Sequence, residues 1–423
     1  MKIRQWDRNL KIRLFGEALF NITFWMFFPF MAIYFTEAFG KEKTGLLLIV
    51  SQLFSVVASL IGGYLADQFG RKRMMVLAAY SQGVVFFLFA LASSPWWTSP
   101  VAGFFCFTLA SICSSLYWPA SQAMVVDVVP EEHRSSVFAL FYTSINIAVV
   151  VGPIIGGMFY EHHLFALLLA ASFSCLLLAI VLTKALRETV PAQLIQQQNK
   201  KWYEFIREQI QQYGIIMRDR TFLLFVVAGI LVAQTFMQLD LLIPVYTKDV
   251  VDQQTLFSFS DWSVTLSGEK LFGMLVSENG LLVALFTVIV TRWMERYRDR
   301  TVFIGSSVLY GLSILFIGQT TSVWGMICSV ALFTFAELMT AGIQQTFISK
   351  LAPEEMRGQY FAAASLRWTI GRALAPFSIA ATIWFGYQWT FLLLGVLAFM
   401  SAALYFVMFR IFEKERHVQA KSA

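Results

Sequence analysis

Two carboxylates stand alone inside long apolar runs, and the chemistry of this chain starts from them. Asp240 lies in "QTFMQLDLLIPV" and Glu337 in "LFTFAELMTAG". An ionisable group deep in a membrane costs about 2.5–3.5 kcal/mol on insertion scales, so it is rarely kept without a partner or a task. A carboxyl taken out of water favours its neutral form, so it can load a proton on an acidic face and release it on the other, or on meeting a cation. A proton carried down about 100 mV gains roughly 2.3 kcal/mol, enough for one or two to drive accumulation of a solute. Proton coupling is therefore expected of Asp240 and Glu337. The competing reading is a static ion pair with Arg367 or Arg372, the two basic residues inside the same apolar region.

Other acids carry weaker signals. Glu17 has Arg13 one turn earlier as a local partner. Asp127 stands near Glu131 and Glu132 at the end of an apolar run, where a gating role is expected, and Glu278 is a minor candidate beside Asn279. Asn21, Trp25, Tyr117, Trp118, Gln122, Gln234, Phe236, Gln238, Phe333, Gln344 and Arg372 are the polar and aromatic groups expected to line a solute cavity. Aromatic faces beside carboxylates suit lipophilic cations; the arginines leave anionic or zwitterionic amphiphiles open.

These residues need elements that hold them in a bilayer. The 423 residues are 58% hydrophobic, 16% aromatic and 14% charged, beyond what a soluble core needs. Runs of about 20 apolar residues mark twelve spans: 14–36, 45–66, 74–93, 101–125, 137–160, 164–183, 221–247, 271–291, 301–319, 323–348, 359–382 and 387–410. Of 32 Lys and Arg, 26 fall on one side of these spans, and only Lys41, Lys43, Lys248 and Lys270 on the other. The positive-inside rule then makes both termini cytoplasmic in a multi-pass protein of the plasma (inner) membrane. The net charge of +6 reports topology and implies no nucleic-acid partner. No cleavage site precedes the first span, so the N-terminus is expected to stay. Cys106, Cys113, Cys175 and Cys328 lie in spans without ligand spacing, so no metal and no cofactor is expected.

The chain divides in two. Residues 1–184 form one six-helix bundle, 221–423 a second, and 185–220 a polar linker in which Trp202, Phe205, Ile206, Tyr213 and Met217 recur at helical spacing, as in an amphipathic helix on a membrane face. "PEEHRSSVFALFYTSINIAVVVGP" from Pro130 recurs as "PEEMRGQYFAAASLRWTIGRALAP" from Pro353, a constant offset of 223 residues that points to duplication. The expected fold is all-α and integral to the membrane: twelve transmembrane helices in two pseudo-symmetric six-helix bundles with a site near the midplane.

One stretch then becomes specific. "GYLADQFGRK" resembles the signature of the loop between helices 2 and 3 in the major facilitator superfamily, and it falls in that loop. Gly63, Asp67, Gly70, Arg71 and Lys72 match, while Gln68 replaces the usual basic residue. The resemblance implies a gating loop, and "WMERYRDR" at 293–300 is its worn counterpart. "GPIIGG", with Gly152, Pro153, Gly156 and Gly157, is similar to the signature of the superfamily's proton-coupled exporters; its upstream glycine is Ala148 here. The arginine usual in helix 4 is missing. Asp240 and Glu337 resemble the carboxylates of lactococcal-type multidrug/proton antiporters. Together these imply a proton-coupled exporter of lipophilic cationic compounds working as a monomer among membrane lipids. The alternative is a lipid or glycolipid flippase, or an exporter of amphiphilic metabolites or peptides. No nucleophile–base set appears, so no enzyme is expected.

Overall fold

The structure, a computed structural model, describes residues 6–189, 207, 218–259, 262–352 and 357–422. The amphipathic stretch expected in the linker lies outside them, as do the side chain of Asp67 and those of residues 131–136. Almost everything described is helical, because a backbone in hydrocarbon must satisfy its polar groups within its own segment.

The first compact unit takes Met1–Gly40 and Val50–Ile206. Asp7 caps α1 (Arg8–Phe27) by accepting from the Asn9 amide at 2.7 Å. Pro29 sits in a 3₁₀ turn, Phe28–Phe30, and interrupts the span before α2 (Met31–Phe39). The uninterrupted span expected at 14–36 is thus longer and broken, since proline cannot donate to the preceding turn. After Gly40 come α3 (Lys41–Phe69) and α4 (Arg71–Ala92). A two-residue ribbon, β1 (Ser93–Ser94) with β2 (Trp97–Thr98), leads to α5 (Pro100–Val128) and α6 (Glu131–Ala185). α6 bends at His163 (φ −131°, ψ 26°), so its 55 residues hold two passes. Met74, Met75, Ala79, Met124, Leu178 and Leu182 pack the core of this unit.

The second unit takes Lys41–Ile49 and Arg207–Ala423. The start of α3 thus clusters with this half. Lys41 pairs with Asp249 and lies over the ring of Tyr387, 4.5 Å from its centroid. A Cβ at Gly45 would come within 2.9 Å of the Pro376 carbonyl oxygen, so only glycine admits this approach. Asp219 caps α7 (Arg220–Phe236), accepting from the Thr221 and Phe222 amides. A 3₁₀ turn, Met237–Leu239, separates it from α8 (Leu242–Val250). A hairpin of β3 (Gln254–Phe259) and β4 (Trp262–Leu266) fills the loop that follows α8. Then follow α9 (Gly268–Met294), α10 (Asp299–Gln319), α11 (Val323–Ala341), α12 (Ile343–Leu351), α13 (Arg357–Leu374) and α14 (Phe377–Ser422), the last turning at Gly386 (φ 74°). Phe222, Phe225, Phe303, Phe347, Tyr405 and Phe409 form its aromatic core.

Among the described residues, ten helical stretches are long and apolar enough to cross a membrane. Leu140–Ala185 counts once but contains the His163 bend. Phe377–Lys414 also counts once; its residues before Gly386 complete the pass that α13 begins. Resolving both gives the twelve passes expected. Large rings such as Phe15, Trp96, Phe173 and Trp389 stand more than 60% exposed, the arrangement of a protein whose solvent is lipid.

Candidate ion-coupling site

Asp240 owes its position to a broken helix. The Asp240 and Leu241 amides reach back only three residues, to the Met237 and Gln238 carbonyls, each at 3.3 Å. Pro244 has no N–H, so the carbonyl oxygen of Asp240, four residues earlier, has no helical donor. Gln238 is fully buried and pins the break. Its amide nitrogen donates to the Gln234 carbonyl at 2.8 Å and to the Ala375 carbonyl at 3.3 Å, while its oxygen accepts from Ser378 Oγ at 2.5 Å. Ala375 and Pro376 form the break between α13 and α14. Two interruptions in the same unit are therefore tied by one side chain, which sits inside the protein and offers little surface to a solute.

Glu337 projects from α11 and is held from α9. Asn279 Nδ2 donates to Glu337 Oε2 at 3.0 Å and to Thr334 Oγ1 at 2.9 Å. Thr334 in turn donates its hydroxyl proton to the Val330 carbonyl at 2.8 Å. Asp240 and the Tyr310 hydroxyl lie within electrostatic reach of Glu337. Arg372 lies within reach of Asp240, but among the described residues no ion-pair contact joins Arg372 or Arg367 to either acid. Arg367 is buried elsewhere: it lies 4.3 Å over the Phe225 ring, donates to the Ala364 carbonyl and meets the Tyr405 hydroxyl. Phe333 lies between Phe236, with centroids 6.1 Å apart, and Tyr310 at 4.9 Å; Trp368 meets Phe236 edge-on. Glu278 Oε2 is buried with no hydrogen-bond partner.

The first unit has a second buried polar cluster. Arg13, 1% exposed, donates to both carboxylate oxygens of Glu17 (2.9 and 3.3 Å), to the Ser121 carbonyl at 2.6 Å and to the Ser121 hydroxyl. Tyr117 donates to Glu17 Oε1 at 2.7 Å, and Phe141 lies under the guanidinium at 4.6 Å. The pair read as local by its i,i+4 spacing thus recruits α5 and α6. No pattern in the sequence pointed to Ser121, which lies four residues after Tyr117 on the same helical face. Of the remaining cavity candidates, Asn21, Trp25, Gln122 and Gln344 are half-buried, Gln234 is buried, and Trp118 and Arg372 are exposed.

The gating-loop residues surround a helix start. Gly70 has φ +96°, and a side chain there would run into the Glu188 carboxylate. That carboxylate accepts from the Arg71 and Lys72 backbone amides at 2.9 and 3.1 Å, capping α4 where an anion is favoured. Sequence reasoning missed Glu188, whose only signal is an acid just beyond the sixth span. Arg71 Nε faces Asp127 at 3.5 Å, and Thr189 donates to the same carboxylate. Gly63 meets open space. Gly152 and Gly156 in α6 press on the Trp25 and Met26 backbones of α1, with Pro153 and Gly157 buried beside them.

Apolar passes in two units, interrupted helices and acids set within the apolar spans, one of them at an interruption, define a multi-pass membrane transporter, not an enzyme. The chain belongs to the Major Facilitator Superfamily, whose profile matches residues 14–264 and 253–423. It is 55% identical over 420 residues to a Na+, Li+, K+/H+ antiporter of Planococcus maritimus, covering 98% of this chain and 99% of that one. It is 24% identical to multidrug resistance protein MdtH of Klebsiella pneumoniae (strain 342), over 85% of this chain and 83% of that one. A POT family transporter crystallised with 5-aminolevulinic acid shares the fold, with TM-score 0.77 at 18% identity and coverage of 96% and 97%.

Proposed function

We propose that this protein is a proton-coupled antiporter of monovalent cations in the plasma membrane, exchanging Na+, Li+ or K+ for protons with Asp240 and Glu337 as the coupling carboxylates. The observation that carries the reading is the placement of two acids in one unit, one at a helix break and one on α11, within electrostatic reach of one another and, among the described residues, without an ion-pair contact to the nearby arginines. Two carboxylates so placed repel when both are ionised, so a proton or a cation relieves the same strain, and the two compete. That competition is the requirement for exchange. The similarity to the Planococcus maritimus antiporter over almost the full length supports inorganic cations as cargo.

A second cargo, lipophilic organic cations, is favoured by the rings of Phe236, Phe333, Tyr310 and Trp368 on the same helices. Everted vesicles carrying a respiration-driven pH gradient, read with acridine orange, test both. Adding NaCl, LiCl or KCl should collapse the gradient with the wild type and leave it standing with Asp240→Asn and with Glu337→Gln. Retained exchange in both variants would remove the coupling assignment. Ethidium accumulation in the same vesicles, lost in Asp240→Asn, would add the organic cargo; its absence would restrict the protein to inorganic ions.

A further inference from the structure

We infer that Glu337, Asn279 and Thr334 form the alkali-cation binding site, with the Asn279 amide turning over when the ion enters. The inference rests on the antiport reading above and assigns two neutral ligands that reading does not contain.

Three oxygen-bearing side chains from α9 and α11 converge. Glu337 Oε2 and Thr334 Oγ1 lie 3.0 and 2.9 Å from one Asn279 amide nitrogen. Ligand oxygens around a hard cation held at about 2.3–2.6 Å stand about 3 Å or more from one another, the spacing that each of these two oxygens keeps from the end of the Asn279 amide. Asn279 is 8% exposed and Thr334 fully buried, so an ion there would exchange most of its water for protein oxygens.

The Thr334 hydroxyl is oriented for this. Its proton is committed to the Val330 carbonyl at 2.8 Å, so what it presents to Asn279 is a lone pair. Without an ion, the amide N–H₂ occupies the position between the carboxylate and that lone pair and satisfies both. The two ends of the amide are nearly the same size and shape. A half-turn replaces that donor with Oδ1, an acceptor, so that Oδ1, Glu337 Oε2 and the Thr334 lone pair become three oxygens that a cation can bridge. The turn itself costs no change in volume.

The other charged or titratable groups near this cluster are Asp240, Tyr310 and Glu278, with Arg372 reaching only Asp240. Asp240 supplies the second negative charge in reach, and among the described residues no basic side chain contacts Glu337. A cation is therefore the class of ligand that the charge and donor set accept, and the antiport reading makes it monovalent.

Threonine allows an isosteric test. Thr334→Val removes the oxygen and keeps the volume; Thr334→Ser keeps the oxygen and removes a methyl. Initial exchange rates in everted vesicles, measured against NaCl and LiCl concentration at fixed pH, should show KM for both ions raised about tenfold in Thr334→Val with the maximal rate within about twofold of wild type. Thr334→Ser should keep the wild-type KM. Asn279→Ala is judged by the same split, should Thr334→Val fail to reach the membrane. An unchanged KM in the valine variant, or equal loss in the valine and serine variants, would overturn the site while leaving antiport intact. Absence of any cation/proton exchange by the wild type would overturn both.

Discussion

Arg13 and Glu17 show how a buried charge is kept in this protein. The guanidinium is almost wholly buried and makes bonds to one carboxylate, one carbonyl and one hydroxyl. Removing its counter-charge leaves it unpaired in a low-dielectric interior. Glu17→Gln should therefore destabilise the detergent-solubilised protein by about 3–5 kcal/mol, read as a lowered thermal midpoint by tryptophan fluorescence. Ser121→Ala should cost about 1–3 kcal/mol, because two of the acceptors around Arg13 belong to that residue but its carbonyl survives. At this scale the sequence spoke unevenly. Asp240 and Glu337 stand out because a lone acid in an apolar run is conspicuous, and Arg13–Glu17 is visible at helical spacing. Asn279 and Thr334 are 55 residues apart, and nothing local says that one will hold the other. Glu188 reaches Arg71 across 117 residues and was equally hidden. Contacts of that kind depend on which helices become neighbours, which periodicity does not specify.

Among the elements, the clearest dependence is on close approach. Gly156 lies against the Met26 carbonyl and the Phe30 ring, so a larger residue meets backbone that cannot turn aside. Gly156→Val should force α6 away from α1, with a loss of folded protein measured as the monodisperse fraction on size-exclusion chromatography, while Gly63→Ala, with open space around it, should leave that fraction unchanged. The signature glycines were readable as a packing face; which helix they would meet was not. Span number and order were legible because length and apolarity alone set them. Span continuity was not: Pro29 and Pro376 sit at interruptions, Pro153 lies in an unbroken stretch of α6, and the span made by α7 and α8 is broken beside Asp240 although apolar runs flank that residue. Gln238→Leu removes three hydrogen bonds at the joined breaks and should lower stability by about 1–3 kcal/mol in the same thermal assay.

For the whole molecule, the asymmetry of Lys and Arg between alternate loops gives the orientation to be tested. A fluorescent protein fused after Ala423 should fold and emit, as only a cytoplasmic reporter does, and alkaline phosphatase at the same place should stay inactive. The reverse pattern would invert the sidedness of every gate and loop. The repeat carries a different lesson. Pro153 and Pro376 are the same position in the two copies, 223 residues apart. In the first copy Gly152 and Gly156 seat a continuous rod against α1; in the second the Ala375 carbonyl accepts from Gln238, and the rod becomes two pieces. The same repeated proline thus stands in two different settings. Around Pro153 mutational drift is limited by packing against α1, whereas around Pro376 it must keep step with Gln238, so substitutions at 238 and 378 should be found travelling together through the lineages that descend from this chain.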